Sequence, residues 1–394
     1  MHRLAALLAL ACAGLAMAQR PSIDAAWALI AQGKRDEAVV LLRDMIKADP
    51  HNADARLLLG SVLMEQGRQV ESIAELSEAV RLLPKSAEAH NALGEAYNAF
   101  GEPKAARPEF ERAAELDPRH AQAHVNLAAI LLQQGEVQPA IPHLDQAIRL
   151  FGRNSDAAYP HYLRAKIYSE QREAAKAASE LQQAVALRPD FAEAWSDLGE
   201  SRKNLFDADG ALAAFRRAVE LNPDDAVAQT RLGSKLLDAH EAHEAVSHLE
   251  AAVRLDPKDQ SALNALQRAL RQDGQSLKAD ATKKRLTELL RERDKADQNL
   301  VAAIELNNRG ANLEKKGDIR GALEKYRTAL ELQPEHVGIR INLAVALLKV
   351  RHWEEGTSQM RQALRRDPGN TELQKALEDA LAQARAQGIV LSEH

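Results

Sequence analysis

Proline residues recur along this chain at a nearly constant interval. Most neighbouring members of the series are 34 residues apart, and the two longer intervals, of 71 and 77 residues, each hold one further unit with three or nine extra residues. The series consists of Pro50, Pro84, Pro118, Pro189, Pro223, Pro257, Pro334 and Pro368. Because proline ends helices and a fixed period near 34 is typical of stacked repeats, the spacing predicts a solenoid.

Small and large apolar residues alternate at fixed places within each unit. In the third unit, Ala106, Phe110 and Ala113 follow one another at i, i+4 and i+7, which is one face of a helix. An earlier helix of the same unit carries Gly94, and Gly101 seven residues later ends that helix and starts a turn. Each unit is therefore predicted to contain two helices joined by a short turn.

This pattern resembles the tetratricopeptide repeat family, whose unit is a pair of antiparallel helices with the same small, large, small and proline signature. The third unit, residues 87–120, matches that signature closely. Its matching residues are Leu93, Gly94, Tyr97, Gly101, Ala106, Phe110, Ala113 and Pro118. The resemblance implies an all-α fold, a right-handed superhelical solenoid of about ten tetratricopeptide repeats with a C-terminal capping helix.

The period assigns almost the whole chain to repeats. The predicted units are 19–52, 53–86, 87–120, 121–154, 158–191, 192–225, 226–259, a degenerate unit with a lengthened helix at 260–302, then 303–336 and 337–370. A signal peptide at 1–18 and a capping helix with a tail at 371–394 account for the remainder. A catalytic domain needs on the order of 100 residues, so the sequence indicates a protein that is not an enzyme.

Two irregular segments interrupt the series. Residues 151–160 contain three extra residues, and we expect a longer surface loop there. Residues 275–309 contain neither glycine nor proline, and Lys283 occupies a place that is Leu or Phe in other units. We interpret this second segment as a helix lengthened by about nine residues, or about 14 Å. A hinge or a dimerising helix is the alternative, although fewer than three apolar heptads are available.

The first 18 residues have the three parts of a secretory signal. His2 and Arg3 precede an apolar run, and Ala16-Met-Ala18 stands before Gln19. The sequence therefore predicts a periplasmic or secreted protein of bacterial type, cleaved near Ala18/Gln19. The alternative is a lipid anchor through Cys12, the only cysteine of the chain.

Few features of the chain suggest catalysis, metals or nucleic acid. The formal net charge of −5 gives no concentrated basic surface for phosphates. The histidine pair His120 and His124 and the group His240, His243 and His248 lack a completing ligand set, so we expect solvated surface side chains. No cofactor and no metal is predicted.

By resemblance, the concave face of the solenoid is lined by the first helix of each repeat, and polar side chains dominate those positions. The predicted partner-binding groove consists of Asn91, Glu95, Asn98, Asn126, Tyr159, Tyr162, Lys166, Asp197, Lys203, Arg231, Asn264, Arg268, Asn308 and Asn342. Amide side chains both donate and accept hydrogen bonds, so a row of them suits an extended peptide backbone. We therefore predict a non-catalytic scaffold that binds a protein or peptide in the cell envelope. The alternatives are a substrate-presenting or assembly subunit of an envelope enzyme complex, such as a glycosyltransferase or polysaccharide synthase, and a purely structural spacer.

Overall fold

A computed structural model describes residues 22–389. The predicted signal peptide, Cys12 and the expected cleavage point lie outside the described residues, as does the end of the tail from Val390 onward. The chain divides into two compact units, Met1–Leu255 (unit 1) and Asp256–His394 (unit 2). Every regular element between residues 22 and 389 is helical.

Unit 1 contains fourteen described α-helices. They are α1 (Ile23–Ala31), α2 (Arg35–Ala48), α3 (Ala53–Glu65), α4 (Gln69–Leu82), α5 (Ala87–Ala99), α6 (Pro103–Leu116), α7 (Ala121–Gln133), α8 (Val137–Phe151), α9 (Ala158–Glu170), α10 (Ala174–Leu187), α11 (Ala192–Asn204), α12 (Ala208–Leu221), α13 (Ala226–Asp238) and α14 (Ala242–Leu255). One 3-10 turn, Ser155–Ala157, stands between α8 and α9. The odd-numbered members are the first helices of successive pairs.

Unit 2 contains six described α-helices. They are α15 (Gln260–Gln272), α16 (Ser276–Lys315), α17 (Ile319–Leu332), α18 (Val337–Lys349), α19 (Trp353–Arg366) and α20 (Thr371–Ala386). Within each unit every helix packs against the next helix in the chain, and α5 also touches α3 and α7. These contacts between first helices place one face of α3, α5 and α7 side by side. None of the helices in the described range 22–389 is long and apolar enough to cross a membrane.

The two helices of a pair approach most closely at a glycine of the first helix. A Cβ atom at Gly94 would lie 2.6 Å from Cε1 of Phe110, whose side chain is 1% exposed. Gly199 stands in the same relation to Phe215, at 2.5 Å. Burying a phenylalanine contributes roughly 1.5–3 kcal/mol, and here only glycine leaves room for the ring.

The turn within each pair requires a left-handed residue. Gly101 adopts φ 86° and Gly67 adopts φ 72° at this place, as the sequence predicts. In four pairs a residue with a side chain takes the same conformation, with φ between 60° and 64°. These residues are Arg172, Phe206, His240 and Arg351. A left-handed conformation costs a residue other than glycine on the order of 1–2 kcal/mol.

A second recurrent contact ties most first helices, and the C-terminal helix α20, to the turn before them. The fourth residue of these helices bonds the carbonyl oxygen of the proline six residues earlier, as Gln229 Nε2 does by donating to the Pro223 oxygen at 2.8 Å. Trp195 Nε1 donates likewise to the Pro189 oxygen at 3.0 Å. The remaining pairs are Arg56 and Pro50, His90 and Pro84, His124 and Pro118, Arg340 and Pro334, and Gln374 and Pro368. Each such bond contributes about 0.5–1.5 kcal/mol.

The irregular segment of unit 2 forms a single helix of 40 residues, α16, which is about 60 Å long. Without glycine or proline to end it, this helix runs through the place where the period sets a boundary between residues 302 and 303. Ala279 is buried near its start, and Ala303 and Gly310 are buried near its end. No residue from 280 to 302 is buried.

The other irregular segment differs from the loop that we expected. The 3-10 turn Ser155–Ala157 fills its centre, and α9 already begins at Ala158, so Pro160 lies in the first helical turn. Proline is tolerated there because the amide groups of a first turn have no partner within the helix. Tyr159 is thereby placed on a helix and not on a loop.

Candidate functional site

Amide and carboxylate side chains link the first helices α5 and α7. Asn126 Nδ2 on α7 donates to Asn91 Oδ1 at 3.0 Å and to Glu95 Oε1 at 2.8 Å. Asn91 Nδ2 also donates to Glu95 Oε1 at 3.0 Å, and Gln122 Nε2 donates to Asn126 Oδ1 at 2.9 Å. Three predicted groove residues, Asn91, Glu95 and Asn126, therefore come together in one hydrogen-bonded network.

This network changes the expectation for Asn91. We expected an exposed amide, but the side chain is 7% exposed and its oxygen is occupied by the neighbouring helix. Asn91 therefore positions α5 against α7. Asn98, one helical turn beyond Glu95 on α5, is exposed, as we expected for the predicted groove residues.

Unit 2 contains a bond of the same type. Asn342 Nδ2 on α18 donates to Asn307 Oδ1 on α16 at 2.8 Å. Asn308, the predicted groove residue that follows Asn307 in the chain, is exposed, as are Asn264 and Arg268 on α15. The residues predicted in unit 2 thus form one interhelical bond and a set of solvated side chains.

Aromatic side chains form a small platform on α9 in unit 1. The rings of Tyr159 and Tyr162 stack with centroids 6.3 Å apart, and the centroid of the Phe191 ring, just before α11, lies 4.9 Å from that of Tyr162. Lys166 Nζ lies 5.9 Å from the centre of the Tyr162 ring. Burial, together with the nearby Asp197 carboxylate, raises the pKa of Tyr162 above its ordinary value. The hydroxyl therefore stays protonated and can donate a hydrogen bond.

Next to this platform, Asp197 on α11 is held between cations from the two flanking first helices. Arg231 Nη1 on α13 donates to Asp197 Oδ1 at 2.9 Å and to Ser196 Oγ at 2.7 Å. Lys166 Nζ on α9 lies 4.0 Å from Asp197 Oδ2. Lys203 forms a separate pair with Glu200 at 2.6 Å. Three helices are thus joined by charge-assisted contacts, which are stronger than neutral ones.

A pocket of about 630 Å³ opens over these charges. Its lining residues are Lys166, Ser169, Glu170, Arg172, Ala174, Asp197, Glu200, Ser201, Asn204 and Arg231. Three cations and three carboxylates balance one another in this lining, and the remaining polar groups can both donate and accept. Such a surface suits a ligand with donors and acceptors along its length, as a polypeptide backbone has.

Arg172, Ser169, Ser201 and Asn204 line this pocket but are not among the groove residues that the sequence predicted. One signal was present. Arg172, Phe206 and His240 replace the turn glycine in three consecutive units, and they do so beside this pocket or at the corresponding turns of the next pairs. Residues with side chains in the left-handed conformation are found more often at functional sites than elsewhere, where the surrounding structure holds them. Phe206 is 95% exposed.

His240 and His243 are exposed, as we expected, but His124 is not. His124 is 7% exposed and not solvated, because it fills the fourth position of α7. Its Nδ1 lies 2.9 Å from Nδ1 of His143, and the two rings stack with centroids 5.2 Å apart. No group of three or more potential metal ligands exists among residues 22–389.

Models of the tetratricopeptide repeat match this sequence in several places. One model matches residues 29–96 and 313–385, a second matches 91–158, and a third matches 192–225. Together these matches cover more than half of the chain. None of the curated proteins matches the sequence.

Several solved structures are similar in fold. A structure of Pseudomonas aeruginosa pilF is 20% identical with a TM-score of 0.50, and the match covers 54% of this chain and 95% of that one. A tetratricopeptide repeat protein from Parabacteroides merdae is 14% identical with a TM-score of 0.46 and covers 63% and 97%. YrrB, described as a TPR protein with an unusual peptide-binding site, is 19% identical with a TM-score of 0.39 and covers 48% and 95%. At this identity the likeness to pilF concerns the fold alone.

Proposed function

Because this chain belongs to the tetratricopeptide repeat family, and is a scaffold for protein–protein interaction, we propose that it binds an extended segment of a partner protein along the first helices of unit 1. Members of this family are generally not catalytic. The proposal assigns the anchoring role to the pocket over α9, α11 and α13, with the platform of Tyr159 and Tyr162 beside it.

One observation carries this proposal. The pocket brings balanced charges and hydroxyl groups from three consecutive first helices together, and the stacked rings of Tyr159 and Tyr162 lie on the first of these helices. Ser201, which lines it, is 4% exposed, and Ser196, bonded to Arg231, is 3% exposed. Aromatic rings contribute contact area at low conformational cost, and fixed polar groups give orientation.

We place this function in the cell envelope, and the proposal rests on the signal-like start of the sequence. In such a location the partner is a folded or unfolded envelope protein. If that partner is an envelope enzyme, such as a glycosyltransferase or polysaccharide synthase, the chain acts as a substrate-presenting or assembly subunit of an enzyme complex. Crosslinking in the native host, with mass spectrometry of the captured proteins, shows whether the partner is such an enzyme or another envelope protein.

A peptide library displayed on phage tests the proposed surface directly. We expect selected peptides to bind the wild-type chain and to lose affinity at least about tenfold with Tyr159→Ala combined with Lys166→Ala. Both side chains are exposed, so each change should alter stability by no more than about 0.5 kcal/mol. Asn91 and Asn126 are left intact, because their replacement would disturb the interhelical network.

Gln183→Ala combined with Arg217→Ala is the matched control. These residues are exposed on the second helices α10 and α12 of adjoining pairs. The control variant should bind the selected peptides as the wild type does. Equal loss in both variants, or in neither, would contradict the assignment of the surface.

A further inference from the structure

The middle of α16 carries a stripe of residues that continues along one face of the helix. Its members are spaced by four, three, four, three and four residues, which is the seam of a two-stranded coiled coil. They are Leu286, Leu290, Arg293, Asp297, Leu300 and Ile304. Leu300 is 38% and Ile304 is 42% exposed, and Val301 beside them is 58% exposed. Leu286 and Leu290 are partly exposed. This part of the helix therefore presents apolar surface to solvent.

The stripe is symmetrical about residue 295. Leu286 and Ile304 lie nine residues on either side of that centre, and Leu290 and Leu300 lie five residues on either side. Arg293 and Asp297 lie two residues on either side and carry opposite charges. When a helix crosses a second copy of itself in the antiparallel direction, residues at equal distances from the centre meet. The face is therefore complementary to itself.

We propose that α16 is the contact of an antiparallel dimer, in which a second copy of this chain covers the stripe. Leu290 meets Leu300 of the second copy, and Leu286 meets Ile304. Arg293 meets Asp297, and the symmetry repeats each contact. The stripe spans 18 residues, or about 27 Å of helix.

Charge favours a second copy over an unrelated apolar helix as the occupant. The Arg293 side chain is 55% exposed; its Nη2 lies 3.9 Å from Asp294 Oδ1, and its Nη1 donates to Gln260 Oε1 at 3.1 Å. An apolar partner would bury the Asp297 carboxylate without a cation and would remove Arg293 from water, which is costly. A second antiparallel copy pairs all four.

Sedimentation of the full chain over a range of concentrations tests this proposal. We expect the wild type to change reversibly from monomer to dimer, with an affinity limited by the two ionic layers. Leu300→Glu combined with Ile304→Glu should raise the dissociation constant by at least about tenfold. Leu277→Glu is the control, because Leu277 is 89% exposed on the same helix but points away from the stripe. A wild type that stays monomeric at every concentration overturns the proposal.

A charge exchange tests the register. Arg293→Asp places like charges opposite each other and should weaken the dimer by about tenfold or more. Arg293→Asp combined with Asp297→Arg restores opposite charges in the antiparallel register and should restore the wild-type affinity. Failure of the exchange to restore it, with helicity unchanged by circular dichroism, contradicts this contact.

Disulfide crosslinking gives an independent reading of direction. In a Cys12→Ser background, a mixture of Leu290→Cys and Leu300→Cys chains should form a mixed disulfide, because these positions meet. Leu300→Cys alone should not crosslink, since positions 300 of the two copies are about 15 Å apart along the helix. Efficient crosslinking of Leu300→Cys with itself would indicate another arrangement and overturn the proposal.

Discussion

Gly94 offers the sharpest test of how paired helices pack in this protein. A Cβ atom there would lie 2.6 Å from Cε1 and 2.7 Å from Cδ1 of Phe110, well inside ordinary contact distance. The ring is almost fully buried among Ala106, Ala113 and their neighbours, so it has no free space to enter. Overpacking of this kind costs roughly 1–3 kcal/mol, while alanine in place of glycine favours a helix interior by about 1 kcal/mol. Because three atoms of the ring would lie within 3.0 Å of the added Cβ, we expect the overpacking cost to fall in the upper half of that range, so that Gly94→Ala destabilises the chain by about 1–2 kcal/mol.

The effect should be local, because each repeat contacts mainly its neighbours. Hydrogen exchange measured by mass spectrometry should show faster exchange in α5 and α6 of the Gly94→Ala variant, with unit 2 unchanged. Gly338→Ala is the matched control. Gly338 is a helical glycine whose added Cβ would meet only His336, at 3.4 Å. That substitution should be neutral or slightly stabilising.

A double variant checks the cause of the effect. The fourth repeat pairs Ala128 with Leu144, both fully buried, at the places that Gly94 and Phe110 occupy in the third. Gly94→Ala combined with Phe110→Leu reproduces that pairing and should recover part of the lost stability. If Gly94→Ala is as stable as the wild type, or if exchange rises evenly in all repeats, the packing explanation is wrong.

Three further outcomes follow from particular residues. Protein recovered from the envelope should begin at Gln19 by mass spectrometry, whereas a lipid-modified Cys12 would contradict the expected cleavage. Burial and the charge of His124 lower the pKa of His143 below its ordinary value of 6.5. The unfolded chain therefore binds more protons, and stability should fall as the pH drops below about 6.5. Urea unfolding at several pH values should show a flatter dependence for His143→Gln. Phe206→Gly should stabilise by up to about 1 kcal/mol in thermal unfolding, because glycine relieves the left-handed backbone; a lower melting temperature would indicate that the ring packs.

The sequence predicted the repeat architecture because the residues that pack the two helices of a pair recur at the same interval as the pairs themselves. Gly94, Phe110 and Gly101 recur in phase in other units, and the structure assigns them the roles that the pattern indicated. The absence of glycine and proline predicted a lengthened helix in the segment that forms α16. The sequence did not predict that this helix continues through residue 302, because the 34-residue period places a unit boundary there although no residue at that point ends a helix.

Burial of polar side chains was harder to predict. Asn91 and Asn98 lie on the same helix and look alike in the sequence, yet Asn91 is bonded to α7 and Asn98 is exposed. The difference depends on what the next helix presents, here Asn126, and a single unit does not contain that information. His124 was misjudged for a related reason. His124 is the fourth residue of α7, and its bond to the carbonyl oxygen of Pro118 is recognised as structural only when the same bond is seen in other repeats.

The surface of α9, α11 and α13 is the central functional claim, and hydrogen exchange of the full chain with a selected peptide tests it most directly. Bound peptide should slow exchange in Ala158–Glu170 and Ala192–Asn204, where the platform and the pocket lie. The second helices α10 and α12 should change little. Protection confined to α10 and α12, or spread over helices outside this surface, would contradict the account.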